Sequence, residues 1–140
     1  MTLIKTRKIK VKTYTKVEIA THSLISAKKL YEQGDYISST ILAGAGREIL
    51  KDICEKRGIE HTVEVVGKNV GKTTKDVHDL LADVYNKMKH ADRDPDEVVE
   101  VSEAEPRSLM TVGATDLMKL KEIKSKERAD LIEFVRSIKN

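Results

Sequence analysis

The chain has no tryptophan, one phenylalanine, one cysteine and two prolines in 140 residues. So few aromatics argue against a β-sandwich, whose faces draw on aromatic and β-branched side chains; with 35% charged residues, they favour a charged helical domain. The lone cysteine, Cys54, can form no internal disulfide, and its place in an apolar helical pattern reads as a buried thiol in a reducing compartment. No apolar run approaches the roughly 20 residues that span a bilayer. The basic N-terminus also lacks the apolar stretch of a secretory signal, so a cytoplasmic location with no membrane partner is expected. The length suits one domain with one core.

What the chain does have is charge, unevenly placed. Residues 1–16 carry Lys5, Arg7, Lys8, Lys10, Lys12 and Lys16 and no acid, whereas residues 92–105 carry seven acids against Arg93 alone. Ile4, Ile9 and Val11 alternate with lysines, which suits a short strand, a partner-binding arm or a solvated tail. The chain therefore divides into a basic arm over 1–14 and a helical-bundle domain over 15–140. The only segments that read as strand partners for the arm are Val98–Val101 and Val63–Val66.

The helices announce themselves locally. Thr15 and Glu18 form a capping box, flanked by Tyr14 and Ile19 as a candidate hydrophobic staple, and the first helix runs to about Gln33 before Gly34. Its core stripe is Ala20, Leu24, Ala27 and Tyr31. Asp35 caps a second helix that ends before Gly58, with Ile37, Ile41, Leu42, Ala45, Ile49, Leu50 and Ile53 as its expected buried face. The run Ala43-Gly44-Ala45-Gly46 costs helix propensity and marks a close helix crossing. Residues 59–74 read as a loop. Gly67 and Gly71 stand one residue too close for a phosphate-binding P-loop, and no series of strands accompanies them. A third helix runs from about Thr74 to His90, with Val77, Leu81, Val84 and Met88 facing the core. Val98–Val101 suggests a short extended piece. Glu105-Pro106 starts a fourth helix to about Lys124, and a fifth from about Lys126 carries Leu131, Ile132, Val135 and Ile138 on one face. The fold class is an all-α bundle of about five helices.

The densest chemistry lies at the end of the third helix, in Tyr85-Asn86-Lys87-Met88-Lys89-His90-Ala91-Asp92-Arg93-Asp94-Pro95. Asp79, Asp83, Asn86 and His90 recur on one strip, and Pro95 breaks the backbone beyond them. With Leu42-Ala43-Gly44-Ala45-Gly46 and Arg57-Gly58, the N-x-x-K-H-A-D-R-D-P motif from Asn86 to Pro95 resembles a group of small bacterial proteins that carries no established activity. The resemblance covers roughly residues 20–120. More distantly the chain resembles the HEPN superfamily, all-helical nucleotide- or RNA-binding domains of which many are dimeric ribonucleases. That family's signature is an arginine followed by a polar residue and then a histidine. Asn86 and His90 match the latter two, while the arginine position holds Tyr85. The resemblance implies a HEPN-like bundle, a homodimer, and RNA or nucleotide as ligand, in a defence or stress module. Because a tyrosine offers no bidentate cation for phosphate, it supports the fold more than ribonuclease activity.

Read as chemistry, His90 is the candidate acid/base, with Asn86 and Arg93 as its companions, and Lys89, Lys72 and Lys75 are candidate phosphate ligands. The alternative is structural: a histidine favoured by the helix C-terminus, with Asp92 and Asp94 tying Arg93 into a turn. Asp83, His90 and Asp92 are acceptable ligand types for a divalent ion, but one histidine among scattered acids defines no site, so no metal and no cofactor is assigned. His22, His61 and His78 read as ordinary residues. Two functions follow from the residues and the resemblance: an RNA- or nucleotide-binding domain, or a non-catalytic helical domain that dimerises or docks a protein partner.

Overall fold

The computed structural model describes residues 8–139, and within them six helices and no strand. They are α1 (Lys16–Glu32), α2 (Tyr36–Lys56), α3 (Thr62–Val70), α4 (Thr74–Lys89), α5 (Ala104–Leu117) and α6 (Ser125–Lys139). The first part of the basic arm, including Ile4, Lys5 and Arg7, lies outside the described residues. No helix among those described is long and apolar enough to cross a membrane.

Local sequence sets the first two helices. The Glu18 amide donates to Thr15 Oγ1 at 3.1 Å and the Thr15 amide to Glu18 Oε1 at 3.1 Å, closing the capping box. Gly34, at φ +80°, ends the α1 turn in the left-handed conformation that a side chain resists, and Asp35 then accepts from the Ser38 amide at 3.0 Å to start α2. Tyr14 and Ile19 both remain exposed, so the hydrophobic staple covers neither.

α2 is the centre of the bundle, packed against α1, α5 and α4. Its buried face keeps part of the one that periodicity suggests: Leu50 is buried, and Leu42, Ile49 and Ile53 pack half-buried against the core. Ser39, Thr40, Ala43, Gly44, Gly46, Arg47, Leu50 and Cys54 are buried, while Ile37 is 60% exposed and Ile41 is also exposed. Small residues won because they let neighbouring helices approach. A Cβ on Gly44 would sit 2.6 Å from Tyr85 ring carbons, and one on Gly46 would sit 3.2 Å from the Ala20 carbonyl oxygen. Leu24 of α1 reaches Gly46 and also Gly113 of α5, filling the space their missing side chains leave. Ser39 Oγ donates to the Ala27 carbonyl at 2.7 Å, tying α2 to α1.

Two apolar clusters result. One joins Val17, Leu24, Leu50, Cys54, Leu117, Leu120 and Ile123; the other joins Ala27, Ala43, Ala82, Tyr85, Leu109, Met110 and Ile138. Phe134 of α6 packs on both, so the α6 face is Leu131, Phe134 and Ile138, with Ile132 left exposed. Cys54 is fully buried, and burial pushes its thiol pKa up, which keeps it protonated and unreactive.

The region read as a loop over 59–74 contains α3. Its cap comes from far along the chain: Asp116 Oδ1, on α5, accepts from the Thr62 amide at 2.7 Å and the Thr62 hydroxyl at 2.6 Å. A carboxylate there also meets the positive end of the helix dipole. Gly71, at φ +69°, closes the helix. α5 begins slightly before the expected Glu105, with the Glu105 carboxylate accepting from the Ser102 amide at 2.8 Å, and ends at Leu117 instead of running to Lys124. Residues 97–102 lie outside any helix, strand or turn.

Candidate functional site

The strip along α4 is real. Asp79, Asp83, Asn86, Lys87, His90, Arg93, Asp94 and Glu97 line a hollow of about 440 Å³. Two turns bring the segment after the helix back over the strip: the Arg93 amide donates to the His90 carbonyl at 3.3 Å and the Glu97 amide to the Asp94 carbonyl at 3.3 Å. His90 is the C-cap, its amide bonded to the Asn86 carbonyl at 3.1 Å, and its Nδ1 lies 3.9 Å from Asp92 Oδ1, beyond hydrogen-bond length. The three candidate catalytic residues, Asn86, His90 and Arg93, are thus together.

The candidate phosphate ligands are not with them. Lys89 does not line the hollow: its ammonium lies 3.1 Å from Glu48 of α2 and 4.4 Å over the Tyr85 ring. Burial opposes its charge, but the Glu48 hydrogen bond and charge outweigh that and hold its pKa above the ordinary lysine value. Lys75 is paired with Asp79 at 2.7 Å. Lys72 precedes α4, a 16-residue helix about 24 Å long, and so lies at the end away from His90. The hollow itself holds four carboxylates, Asp79, Asp83, Asp94 and Glu97, against Lys87 and Arg93, and Lys87 is already 3.3 Å from Asp83. Such a surface repels a phosphodiester at neutral pH. Among the described residues no three histidine, cysteine or carboxylate groups converge as metal ligands.

Tyr85, at the arginine position of the HEPN signature, is a packing residue. Its buried ring fills the notch at Gly44 beneath the Lys89 ammonium. The arginine that does reach α4 comes from α2. Arg47 is 1% exposed, and its Nη2 lies 2.6 Å from His78 Nδ1. Burial lowers the Arg47 pKa against the raising effect of Glu48, Asp116 and Asp52, and burial, then Arg47 and Lys51, lowers that of His78. His78 is therefore neutral at pH 7, accepting at Nδ1 with its proton on Nε2. Arg47 Nη1 and Asp116 Oδ2 are buried without a hydrogen-bond partner among the described residues. His61 is buried too, with Nε2 3.1 Å from Glu64 and 3.2 Å from Glu55. His61 and His78 therefore belong to polar clusters that spacing did not disclose. His78 stands twelve residues before His90, about 18 Å along the helix, so Arg47 cannot act with His90.

A wider concavity lies elsewhere. Tyr14, Val17, Ile19, Ile25 and Ile123 form the apolar part of a groove of about 710 Å³ along the first half of α1.

No family model, curated protein or solved structure matches this chain. The class that fold and site define is an all-helical domain with an acid-rich polar hollow at one helix end and an open apolar groove along its first helix.

Proposed function

We propose that this chain is a non-catalytic, HEPN-like helical domain that acts by self-association. The observation that carries the reading is the α1 groove, where Tyr14, Ile19 and Ile25 stay exposed although α1 buries its opposite stripe in the core. Apolar area held open to water is stabilised by being covered. A second copy is the occupant the groove suits: antiparallel α1 helices crossing near His22 set Ile19 of one copy against Ile25 of the other, a self-complementary two-fold contact flanked by the small residues Ser23 and Ser26. The acid-rich hollow at His90 and the engagement of Lys89 and Lys75 by carboxylates favour binding over catalysis.

Light scattering on the purified protein and on Ile19→Glu/Ile25→Glu tests this. Both positions are exposed, so the variant should keep its helical circular dichroism. The expected result is twice the chain mass for the wild type and one chain mass for the variant. One chain mass for both, at the highest soluble concentration, overturns the reading.

A second reading, RNA or nucleotide binding, draws on one feature: Lys8, Lys10 and Lys12 are exposed and make no ion pair among the described residues. Binding of a labelled single-stranded RNA that weakens steeply with salt and is lost in Lys8→Ala/Lys10→Ala/Lys12→Ala would favour it. Cleavage abolished by His90→Ala would restore the ribonuclease role.

A further inference from the structure

Two segments of opposite charge are left without backbone partners. Among the described residues, residues 8–14 make no backbone–backbone hydrogen bond, and neither do residues 98–101. Both expose apolar side chains: Ile9 is 68% exposed, Val11 83% and Val98 90%. The first alternates Lys8, Lys10 and Lys12 with Ile9 and Val11; the second alternates Glu100 with Val99 and Val101. The second also borders a groove of about 400 Å³ shared with Val84, Lys87 and Glu105.

Resting on the self-association reading, we propose that the basic arm of one copy adds as a strand to the 97–102 segment of the second copy, reciprocally across the two-fold axis. Antiparallel pairing that sets Lys10 opposite Glu100 also sets Ile9 opposite Val101 and Val11 opposite Val99. In a strand, alternate residues share a face, so this one register matches the charged pair on one side and both apolar pairs on the other. The half-buried Val99 and Val101 mark the side that faces the protein body, and Ile9 and Val11 extend it.

The chain's own arm is too short to reach. Val17 packs with Leu117 and Leu120, so the arm leaves the body level with the C-terminal end of α5, whereas the acidic segment leads into its N-terminal end at Ala104. The 14 residues of α5 separate these ends by about 20 Å. The five residues from Lys10 to Thr15 span at most about 18 Å, and Glu100 borders the same groove as Glu105 at the start of α5. Antiparallel α1 helices remove the difficulty, because the arm of one copy then emerges beside the C-terminal end of the other's α1. That is the end where Ala27 packs with Leu109 and Met110, in the first half of α5. Like charges rule out arm-to-arm pairing, in which lysines would face lysines.

Charge reversal with mixing tests the proposal. Lys8→Glu/Lys10→Glu/Lys12→Glu sets an acidic arm against the acidic segment, and Glu97→Lys/Glu100→Lys sets a basic segment against the basic arm. Each variant alone should dimerise at least about tenfold more weakly than wild type, since juxtaposed like charges oppose pairing. Mixed in equal amounts they should form a heterodimer as tight as the wild-type dimer, because both strand pairs regain opposite charges. Sedimentation equilibrium reads the constants, and all positions reversed are solvent-facing, so folding is checked by circular dichroism. Variants that dimerise like wild type overturn the strand exchange while leaving self-association intact. A wild type that stays monomeric overturns both. Weakened variants that do not recover on mixing overturn the reciprocal pairing.

Discussion

Adding one methyl group at Gly44 places it against the buried face of Tyr85. An ideal Cβ there lies 2.6 Å from two ring carbons, whereas carbon atoms in contact sit roughly 3.5–4 Å apart. The ring must retreat by about 1 Å, yet it is buried between α2 and α4 and held under the Lys89 ammonium. Overpacking of this kind costs about 1–3 kcal/mol, and the upper part of that range applies because neither backbone nor ring yields easily. Helix propensity runs the other way, since alanine is better than glycine by about 1 kcal/mol. Gly44→Ala should therefore destabilise by about 1–2 kcal/mol and lower Tm by roughly 4–8 °C. Urea unfolding followed by circular dichroism measures it. In a Tyr85→Ala background the clash is gone, and the same substitution should become stabilising by up to about 1 kcal/mol, a coupling that a double-mutant cycle isolates. A Gly44→Ala protein more stable than wild type by about 1 kcal/mol in the original background would refute the reasoning, because helix propensity would then be the only effect present.

Asp116→Ala removes the cap of α3 and leaves the Thr62 amide unpaired, so about 2–3 kcal/mol of stability should be lost and α3 amides should exchange fastest in hydrogen exchange. Arg47→Ala, which empties a fully buried site, should cost about 2–5 kcal/mol in the same urea assay, while the longer Arg47→Met should cost clearly less. His78 has its folded pKa below the ordinary histidine value, so the unfolded chain binds the proton more readily. Its contribution is thus present above about pH 6.5 and lost as pH falls through the folded pKa, and His78→Gln should flatten that part of the stability profile. Glu122, held to a pKa of about 2 chiefly by its hydrogen bond from Arg57, should add stability above pH 4.5 that disappears as pH falls towards 2; Glu122→Gln should remove that slope in acid titrations.

How much was legible depended on where each determinant sits. α1 and α2 could be placed because Thr15, Glu18, Gly34 and Asp35 act on backbone a few residues away. α3 could not, because its nine residues include Gly67 and β-branched valines, and its cap is Asp116, fifty-four residues on. Periodicity places Leu42, Ile49, Leu50 and Ile53 of α2 against the core, but not Ile37 and Ile41, which the close approach at Gly44 and Gly46 turns outward. At the candidate site, helical spacing alone placed Asp79, Asp83, Asn86 and His90 on one strip. It could not show that Lys89, one position from His90, turns to Glu48 and Tyr85, because those partners lie on other turns and helices. Arg47 left no local mark in a run of small residues, and its partner His78 is thirty-one residues away.

Sedimentation velocity of the unaltered protein over a dilution series, with and without a single-stranded RNA, is the most direct test of a domain that works by self-association. The expected result is a boundary that moves from dimer to monomer on dilution and is the same when RNA is present. A single-chain boundary at every concentration, or a boundary that changes only when RNA is added, would contradict it.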